Sequence, residues 1–282
     1  MQSLFLLFKL LMLFVVSNQV IAQSIVGFKR LDHVKEVRKK SILKLELIKN
    51  DKVVEVATAF FTSKDGYVLT VKHVFHEFEK RNKKSNDKWA LNLRDSEGEL
   101  FRNIDIVACD NSENNLDICL LKVRGVKNVK NYIPIQDGKE EKIGLHIDPD
   151  RESNSHLRYF TYGNNYSGDF LCVEYRLLRY HNNPKENLRG NYASTGYNDM
   201  TNLLELVEYP EQKLVYDKRG RIKSDPLAGF SGSPVINSYG NIVGMLSQRW
   251  SRRQKDKYVN MKTSTMAIPY KYILNFYNNK RN

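Results

Sequence analysis

The stretch TAFFTSKDGYVLTVKHV, residues 58–74, holds parts of two strand-like runs and the turn between them. The first run, VVEVATAFFT at 53–62, and the second, YVLTV at 67–71, are rich in β-branched and aromatic residues, which favour extended backbone. The turn, KDG at 64–66, has a residue composition typical of tight turns. The stretch therefore predicts two antiparallel strands joined as a hairpin.

The same pattern recurs in both directions along the chain. Segments rich in Asp, Asn, Ser and Gly separate the runs, as at DSEG (95–98) and NSYGN (237–241). Many short strands joined by such turns, with few helical periods, predict an all-β protein built as an antiparallel sandwich or barrel. The further strand-like runs lie at 42–48, 89–93, 101–107, 116–123, 157–162, 170–177, 203–207, 234–236 and 242–247.

Two later segments depart from the strand pattern. Pro269 precedes residues 270–277, where apolar side chains recur at helical spacing, and this predicts a short C-terminal helix at about 269–279. The polar and charged stretch 126–155 predicts a connection between two β units.

The first 22 residues have the order of features found in secretory signal peptides. Lys9 is followed by the apolar run LLMLFVV (10–16), a polar break and the small-residue end VIA (20–22), with no acidic residue. We expect cleavage after Ala22 and export to the periplasm or the medium. An uncleaved membrane anchor is the alternative, although the apolar run is short for a bilayer.

Composition and charge bound the class of protein. The 282 residues are 41% hydrophobic and 27% charged, and the absence of repeats and of a high Gly or Pro content excludes collagen-like and low-complexity chains. The formal net charge of +13 favours attraction to anionic surfaces. A nucleic-acid partner is not expected, because the densest basic runs, KRNKK (80–84) and RWSRRQKDK (249–257), contain Trp250 as their single aromatic residue.

The three cysteines leave two alternatives. Cys109 and Cys119 lie in strand-like segments on either side of a turn, and a disulfide between them is one. Three unpaired thiols, Cys172 included, are the interpretation that we favour from sequence. Because there is no Cys-x-x-Cys and no cluster of histidines, we expect no metal site.

A glycine-flanked serine is the first candidate catalytic group. Ser231 lies in AGFSGSPV (228–235), where Gly229 and Gly232 permit a tight turn that exposes the hydroxyl. Such a turn also leaves the backbone N–H groups of Gly229 and Ser231 free to face a developing oxyanion. A Gly-Ser turn without function is common in β proteins, so the motif needs partners.

A serine nucleophile requires a base, and His73 is the distinctive one among the six histidines. It lies at the end of the second strand-like run of the hairpin at 58–74. His76 lies three positions on, but no carboxylate or cysteine spacing supports a metal pair. A packed or surface histidine is the alternative.

Asp117 is the candidate for the group that orients the base. It lies in NLDICLLKV (115–123), and a carboxylate in an apolar strand is costly to bury without a partner. An aspartate at the exposed beginning of a strand is the alternative. The chain order His73, Asp117, Ser231 is that of the chymotrypsin arrangement.

These motifs resemble the trypsin-like serine protease superfamily, especially its bacterial HtrA/DegP-like branch and the glutamyl-endopeptidase branch. Residues 58–74 look like the family's histidine motif and residues 115–123 like its aspartate motif. YGNNYSG (162–168) resembles the glycine turn early in the second barrel, and MAIP (266–269) resembles the closing strand. The resemblance spans about residues 41–280.

The resemblance implies two packed antiparallel β barrels with the short helix after them. The first barrel is expected at about 41–125, the linker at about 126–155 and the second barrel at about 156–268, within a peptidase domain of 23–282. A PDZ domain of the kind that HtrA proteins carry is not expected after the serine motif.

The resemblance also implies roles for the site residues. Ser231 would be the nucleophile, His73 the general base and then acid, and Asp117 the group that orients His73. The backbone N–H groups of Gly229 and Ser231 would form the oxyanion hole. No cofactor is implied. Phe230 stands where digestive enzymes have an aspartate, so activation through a freshly cut N-terminus is not expected.

Specificity stays open at the sequence level. Asp225 lies where trypsin has the acidic residue that selects Lys or Arg, whereas Arg249 would favour acidic peptides. Ser247 falls where the family places a residue near the aspartate and the substrate backbone, and Thr265 lies near another pocket wall. A surface aspartate and a solvated basic loop are the alternative.

The expected function is that of an exported serine endopeptidase, which cleaves protein or peptide substrates through an acyl-enzyme. A catalytically inactive binding protein with the same fold is the alternative. An intact triad favours the enzyme.

Overall fold

The structure, a computed structural model, describes residues 39–75, 88–111, 116–135, 158–164, 170–181, 203–209, 215–216, 222–224, 228–237, 240–251 and 263–281. The expectations for the 1–22 segment, His76, Asp225 and most of the 126–155 connection fall outside these residues.

Strands dominate the described part of the chain. They are β1 (Ile42–Lys49), β2 (Lys52–Phe61), β3 (Tyr67–Thr70), β4 (Trp89–Asp95), β5 (Leu100–Phe101), β6 (Ile104–Cys109), β7 (Cys119–Val123), β8 (Arg158–Asn164), β9 (Phe170–His181), β10 (Leu203–Tyr209), β11 (Val215–Tyr216), β12 (Ile222–Ser224), β13 (Pro234–Asn237), β14 (Ile242–Ser251) and β15 (Thr263–Pro269). A helix, α1 (Tyr270–Arg281), follows β15 directly.

The strands form two antiparallel units. In the first, seven strands lie in the order β5-β4-β1-β2-β3-β7-β6. In the second, six strands close into a barrel in the order β10-β15-β14-β13-β8-β9, and β11 pairs with β12 as a separate ribbon. The hairpin predicted from residues 58–74 is present, with Phe60 opposite Leu69 and Phe61 opposite Val68. Gly66, in the turn, has a φ of 85°, which a residue with a side chain rarely adopts.

The two units share a hydrophobic core. One cluster of buried side chains joins Phe60 and Leu120 of the first unit to Ile236 and Met245 of the second. Buried apolar area of this kind is the main favourable contribution to folding, so the core fixes the strand ends that meet between the units.

Helix α1 packs its apolar face onto this core. Its buried residues are Tyr270, Ile273, Phe276 and Tyr277. The Tyr270 hydroxyl donates a hydrogen bond to the Ile135 carbonyl, which ties the start of the helix to the segment that follows the first unit. The all-β fold with two antiparallel units and a short C-terminal helix is thus confirmed, and it is chymotrypsin-like. Within the described residues, no helix has the length and apolar character needed to cross a bilayer.

The expectation of three unpaired thiols is wrong. Cys109 and Cys119 form a disulfide, with their Cα atoms 4.1 Å apart. The reason is the register of β6 against β7, which places the two cysteines directly opposite each other. Cys172 lies outside the disulfide and is exposed.

Candidate active site

His73 lies three residues beyond the end of β3, where the chain changes from strand to a helical turn at residues 73–75. The next two side chains, Val74 and Phe75, are buried in the core and anchor the turn. The Phe75 N–H donates to the Lys72 carbonyl at 2.9 Å. This leaves the His73 imidazole part-exposed, with 32% of its side chain accessible.

Asp117 lies just before β7 and is fully buried. Its Oδ1 accepts the backbone N–H of His73 at 2.8 Å, and its Oδ2 lies 2.7 Å from His73 Nδ1. The Ser247 hydroxyl donates to the same Oδ2 at 2.6 Å. With Nδ1 carrying its proton toward the carboxylate, Nε2 of the neutral ring is left with a lone pair.

This pairing shifts both pKa values in opposite directions. Burial lowers the pKa of His73, but the charge and hydrogen bond of Asp117, together with the charge of Glu55, outweigh it and leave that pKa raised. Burial raises the pKa of Asp117, but the charge and hydrogen bond of His73 and the Ser247 hydroxyl outweigh it and leave that pKa lowered. The carboxylate is therefore ionised at neutral pH despite its burial.

Ser231 lies in the turn that leads into β13. Gly229 and Gly232 on either side have φ angles of 100° and 90°, so the two glycines are required by the turn geometry. The Ser231 hydroxyl donates a hydrogen bond to the Ser247 carbonyl at 3.2 Å. Ser247 thus contacts Asp117 through its hydroxyl and Ser231 through its carbonyl, and it connects the two groups.

The serine loop is anchored on β2 of the other unit. The Thr58 N–H donates to the Ser231 carbonyl, and the Thr58 hydroxyl donates to the Gly229 carbonyl, both at 2.8 Å. The Thr70 hydroxyl in turn donates to the Thr58 carbonyl at 2.8 Å. The contact is close, because a Cβ at Gly232 would lie 2.0 Å from the Thr58 oxygen.

Sequence patterns did not point to Thr58 or Thr70. Both are fully buried polar side chains in otherwise apolar strands. That pattern is the available signal, because a buried hydroxyl needs a partner and its partner can be distant in sequence.

The serine loop also presents unused backbone donors. Gly232 N–H donates to Leu246 and Ser233 N–H donates to Phe230, so these two are satisfied. Within the described part of the chain, the N–H groups of Gly229 and Ser231 have no acceptor. Two unsatisfied donors in the loop that carries a hydroxyl can stabilise a negative oxygen.

The expected specificity residues are only partly described. Ser247 is buried and belongs to the hydrogen-bond network just given. Thr265 of β15 is buried and lies opposite Arg249 of β14. The Arg249 side chain and Asp225 lie outside the described residues. In the part of the chain that is described, no three His, Cys, Asp or Glu side chains come together as metal ligands would.

Solved structures with a similar fold include an HtrA-type protease. Deg5 matches with a TM-score of 0.55 at 15% identity, over 88% of this chain and 91% of that chain. An inactive Ser-to-Ala mutant of Rv3671c from M. tuberculosis H37Rv matches with a TM-score of 0.51 at 15% identity, over 88% and 89%. The HtrA-type protease AlgW with tripeptide matches with a TM-score of 0.51 at 13% identity, over 87% and 61%. At these identities the likeness shows the fold.

Sequence comparison gives the family. A search of curated proteins finds no significant match. The sequence profile of the trypsin-like peptidase domain matches residues 57–245, which is more than half of the chain and includes His73, Asp117 and Ser231. The resemblance stated from the sequence motifs is confirmed, and the chain belongs to the trypsin-like peptidase domain family.

Proposed function

We propose that the chain is a serine endopeptidase that hydrolyses peptide bonds in protein substrates. Ser231 is the nucleophile, His73 the general base and Asp117 the carboxylate that orients His73. The observation that carries the proposal is the buried Asp117 carboxylate with its donors at 2.6–2.8 Å, two of which belong to His73. Burial of an ionised carboxylate is costly, and it is compensated here by the groups that hydrolysis needs.

In the proposed reaction, the proton of the Ser231 hydroxyl moves to His73 Nε2 as Oγ attacks the substrate carbonyl carbon. The carbonyl oxygen becomes negative and is bound by the N–H groups of Gly229 and Ser231. His73 then gives its proton to the leaving amine, and an acyl-enzyme remains on Ser231. Water repeats the sequence with His73 as base and releases the acid. Asp117 stays ionised throughout.

The proposed mechanism requires one side-chain rotation. The Ser231 hydroxyl donates to the Ser247 carbonyl in the structure. The mechanism requires rotation about the Ser231 Cα–Cβ bond, so that the hydroxyl donates to His73 Nε2 instead, and a single staggered rotation of a serine is a small energetic change. Substrate binding favours the second position, because Oγ must then face the carbonyl carbon.

The test compares two neighbouring serines. Ser231→Ala removes the nucleophile, and Ser233→Ala removes a buried hydroxyl that has no hydrogen-bond partner among the described residues. Digestion of a peptide library should fall by roughly 10⁴-fold in Ser231→Ala and stay near wild type in Ser233→Ala. A fluorophosphonate should label wild type and Ser233→Ala only.

The alternative function gives the opposite result. A trypsin-fold binding protein would leave peptides intact and resist the fluorophosphonate while it is correctly folded. Equal cleavage by wild type and Ser231→Ala would show that the activity does not come from this site. The cut sites of an active enzyme would also show whether Arg249 selects acidic residues or Asp225 selects basic ones.

We further propose that the peptidase is exported, as one domain of residues 23–282 after cleavage of the 1–22 segment. The support is the order of charge, apolar run and small residues in that segment. Mass spectrometry of the mature protein from the culture medium or periplasm should find Gln23 as the first residue. Intact Met1 in the cytosol would contradict export.

A further inference from the structure

Asp110 is a buried carboxylate outside the proposed catalytic groups, with 5% of its surface accessible. It is the residue after β6, at the start of the loop that leads to Asp117. Its Oδ2 accepts the backbone N–H of Leu116 at 2.7 Å. Its own N–H donates to the Ile118 carbonyl at 2.9 Å. Asp110 therefore binds the residue before Asp117 and the residue after it.

The backbone around Asp117 is held tightly by these contacts. The Ile118 N–H donates to the Leu116 carbonyl at 2.9 Å, so the chain turns sharply at Asp117 itself. With Leu116 and Ile118 both bonded to Asp110, the backbone from which the Asp117 side chain extends is held by Asp110. A hydrogen bond to an ionised carboxylate is about twice as strong as one between neutral groups, so a carboxylate is well suited to hold this backbone.

The disulfide closes the same loop at its base. Cys109 immediately precedes Asp110, and Cys119 lies two residues after Asp117. The covalent bond between them joins the last residue of β6 to the first residue of β7. The strand β6 is an edge strand of the first unit, so on its outer side no described strand holds it in place.

A third contact ties this loop to the segment that carries His73. The Lys72 ammonium donates to the Asp110 carbonyl at 2.5 Å and to Asn111 Oδ1 at 3.0 Å. The adjacent residue, His73, contacts Asp117 through its N–H and its ring. Lys72 and His73 therefore contact both ends of the loop, residues 110–111 and Asp117. A shift of residues 110–111 is thereby transmitted to Asp117.

We propose that Asp110 and the Cys109–Cys119 disulfide are positioning residues for Asp117, so that full peptidase activity requires the disulfide to be intact. The inference rests on the proposed function, because it assigns the loop a role in that same site. An exported protein would meet an oxidising environment in which the disulfide persists.

Reduction by a dithiol such as dithiothreitol opens the loop in two exchange steps. A thiolate of the reagent attacks the half-buried Cys109 sulfur, and the Cys119 thiolate leaves and is protonated. The second thiol of the reagent then attacks the mixed disulfide, releases the Cys109 thiol and closes the reagent's own cyclic disulfide. Two electrons and two protons pass from the dithiol to the protein.

Displacement of the Asp117 side chain should reduce kcat and leave KM within about twofold of the wild-type value. In the proposed mechanism Asp117 acts on the proton transfer and contacts no substrate. A misplacement of about 1 Å can cost about 10²-fold in rate. With the Asp110 contacts still present after reduction, we expect about tenfold lower kcat, and about 100-fold lower kcat for Asp110→Ala.

The pKa of His73 supplies a readout that a merely structural role would not change. Asp117 raises this pKa, and Glu55 adds to it from β2 while burial opposes both. When Asp117 moves away, Glu55 and the burial stay, so the pKa of His73 falls. The acid limb of the kcat/KM profile should move to lower pH, and an NMR titration of the His73 imidazole should show the same shift without any substrate.

The experiment uses the mature full chain in its oxidised and reduced forms. It includes the double variant Cys109→Ser/Cys119→Ser, and Cys172→Ser serves as the control because Cys172 is exposed and outside the disulfide. Asp110→Asn keeps an oxygen that can accept the Leu116 N–H and should restore kcat to within about threefold of wild type, whereas Asp110→Ala should not. Rates are expressed per site titrated with fluorophosphonate.

The outcomes separate the two hypotheses. A lower kcat and a lower pKa of His73 in the reduced, double-variant and Asp110→Ala forms, with Cys172→Ser unchanged, support the positioning role. An unchanged pKa of His73 in all three forms overturns it, whatever the activity. A pKa that falls as expected in a wild-type protein that cleaves nothing supports the positioning role and refutes the proposed function.

Discussion

Thr58→Val tests whether strand β2 holds the proposed oxyanion donors, the N–H groups of Gly229 and Ser231, in place. Valine has nearly the shape of threonine, so the substitution removes the hydroxyl that donates to the Gly229 carbonyl at 2.8 Å and keeps the packing. Thr58 is fully buried, and the carbonyl that it leaves is part-buried, so the loss should be about 1–3 kcal/mol. The Gly229 peptide then loses the contact that fixes its orientation.

The expected effect falls on turnover. If the lost interaction energy appears in the transition state, 1–3 kcal/mol corresponds to a decrease in kcat/KM of about 5- to 150-fold. The assay is peptide hydrolysis per fluorophosphonate-titrated site, with thermal unfolding measured in parallel. Thr58→Ser keeps the hydroxyl and should stay near wild type.

A matched control lies just beyond the end of the same strand. The Thr62 hydroxyl donates to the Tyr67 carbonyl at 3.1 Å, within the β2–β3 hairpin and away from the serine loop. Thr62→Val should lower the Tm by a few degrees, about 2–4 °C per kcal/mol in a chain of this size, and leave kcat/KM unchanged. If Thr58→Val and Thr62→Val lose the same stability and both keep full turnover, β2 does not hold the oxyanion donors.

Three further predictions concern the same site. Gly232→Ala should abolish activity and lower the Tm, because its Cβ would lie 2.0 Å from the Thr58 oxygen at a φ of 90°; a wild-type Tm in calorimetry would contradict the close approach. In the proposed mechanism the neutral imidazole is the base, and the pKa of His73 is raised, so the acid limb of kcat/KM should lie above pH 6.5. A limb below that pH would show that Asp117 does not support His73 in solution. Ser247→Ala removes one donor from the buried carboxylate and should lower stability by about 1.5–3 kcal/mol in denaturant unfolding at pH 7, where unchanged stability would refute the contact.

Local patterns were sufficient for the strands, and they also led to the candidate site residues. The hairpin at 58–74 could be predicted because its strands are adjacent in sequence and its turn contains glycine. Ser231 could be found because the glycines that its turn requires are its neighbours. The roles of His73, Asp117 and Ser231 stay predictions until activity is measured.

The disulfide could not be predicted from these patterns, because it depends on register. Cys109 lies opposite Cys119 only because the pairing of β6 with β7 shifts by a residue between Ile106 and Ala108. Without that bulge the two cysteines would be offset by one residue, and their side chains would leave opposite faces of the sheet. Spacing in the sequence does not specify a bulge.

The contacts between the two units could not be predicted from the sequence for a different reason. The Thr58 hydroxyl binds a carbonyl 171 residues away, and Ser247 binds a carboxylate 130 residues away. Both hydroxyls look like ordinary strand residues in the sequence, and only the docking of the two units brings them to their partners. Distant pairings of this kind become visible once the fold is known.

One of these hydroxyls is supplied by the first unit to the second, and the other by the second unit to the first. Thr58 of the first unit holds the loop of Ser231 in the second, and Ser247 of the second unit holds Asp117 in the first. Each unit therefore completes the part of the site that the other carries. A separated second unit would lack the Thr58 hydroxyl at the serine loop, and a separated first unit would lack the Ser247 hydroxyl at Asp117. If the proposed mechanism holds, activity per titrated site therefore depends on the docking of the two units as well as on His73, Asp117 and Ser231.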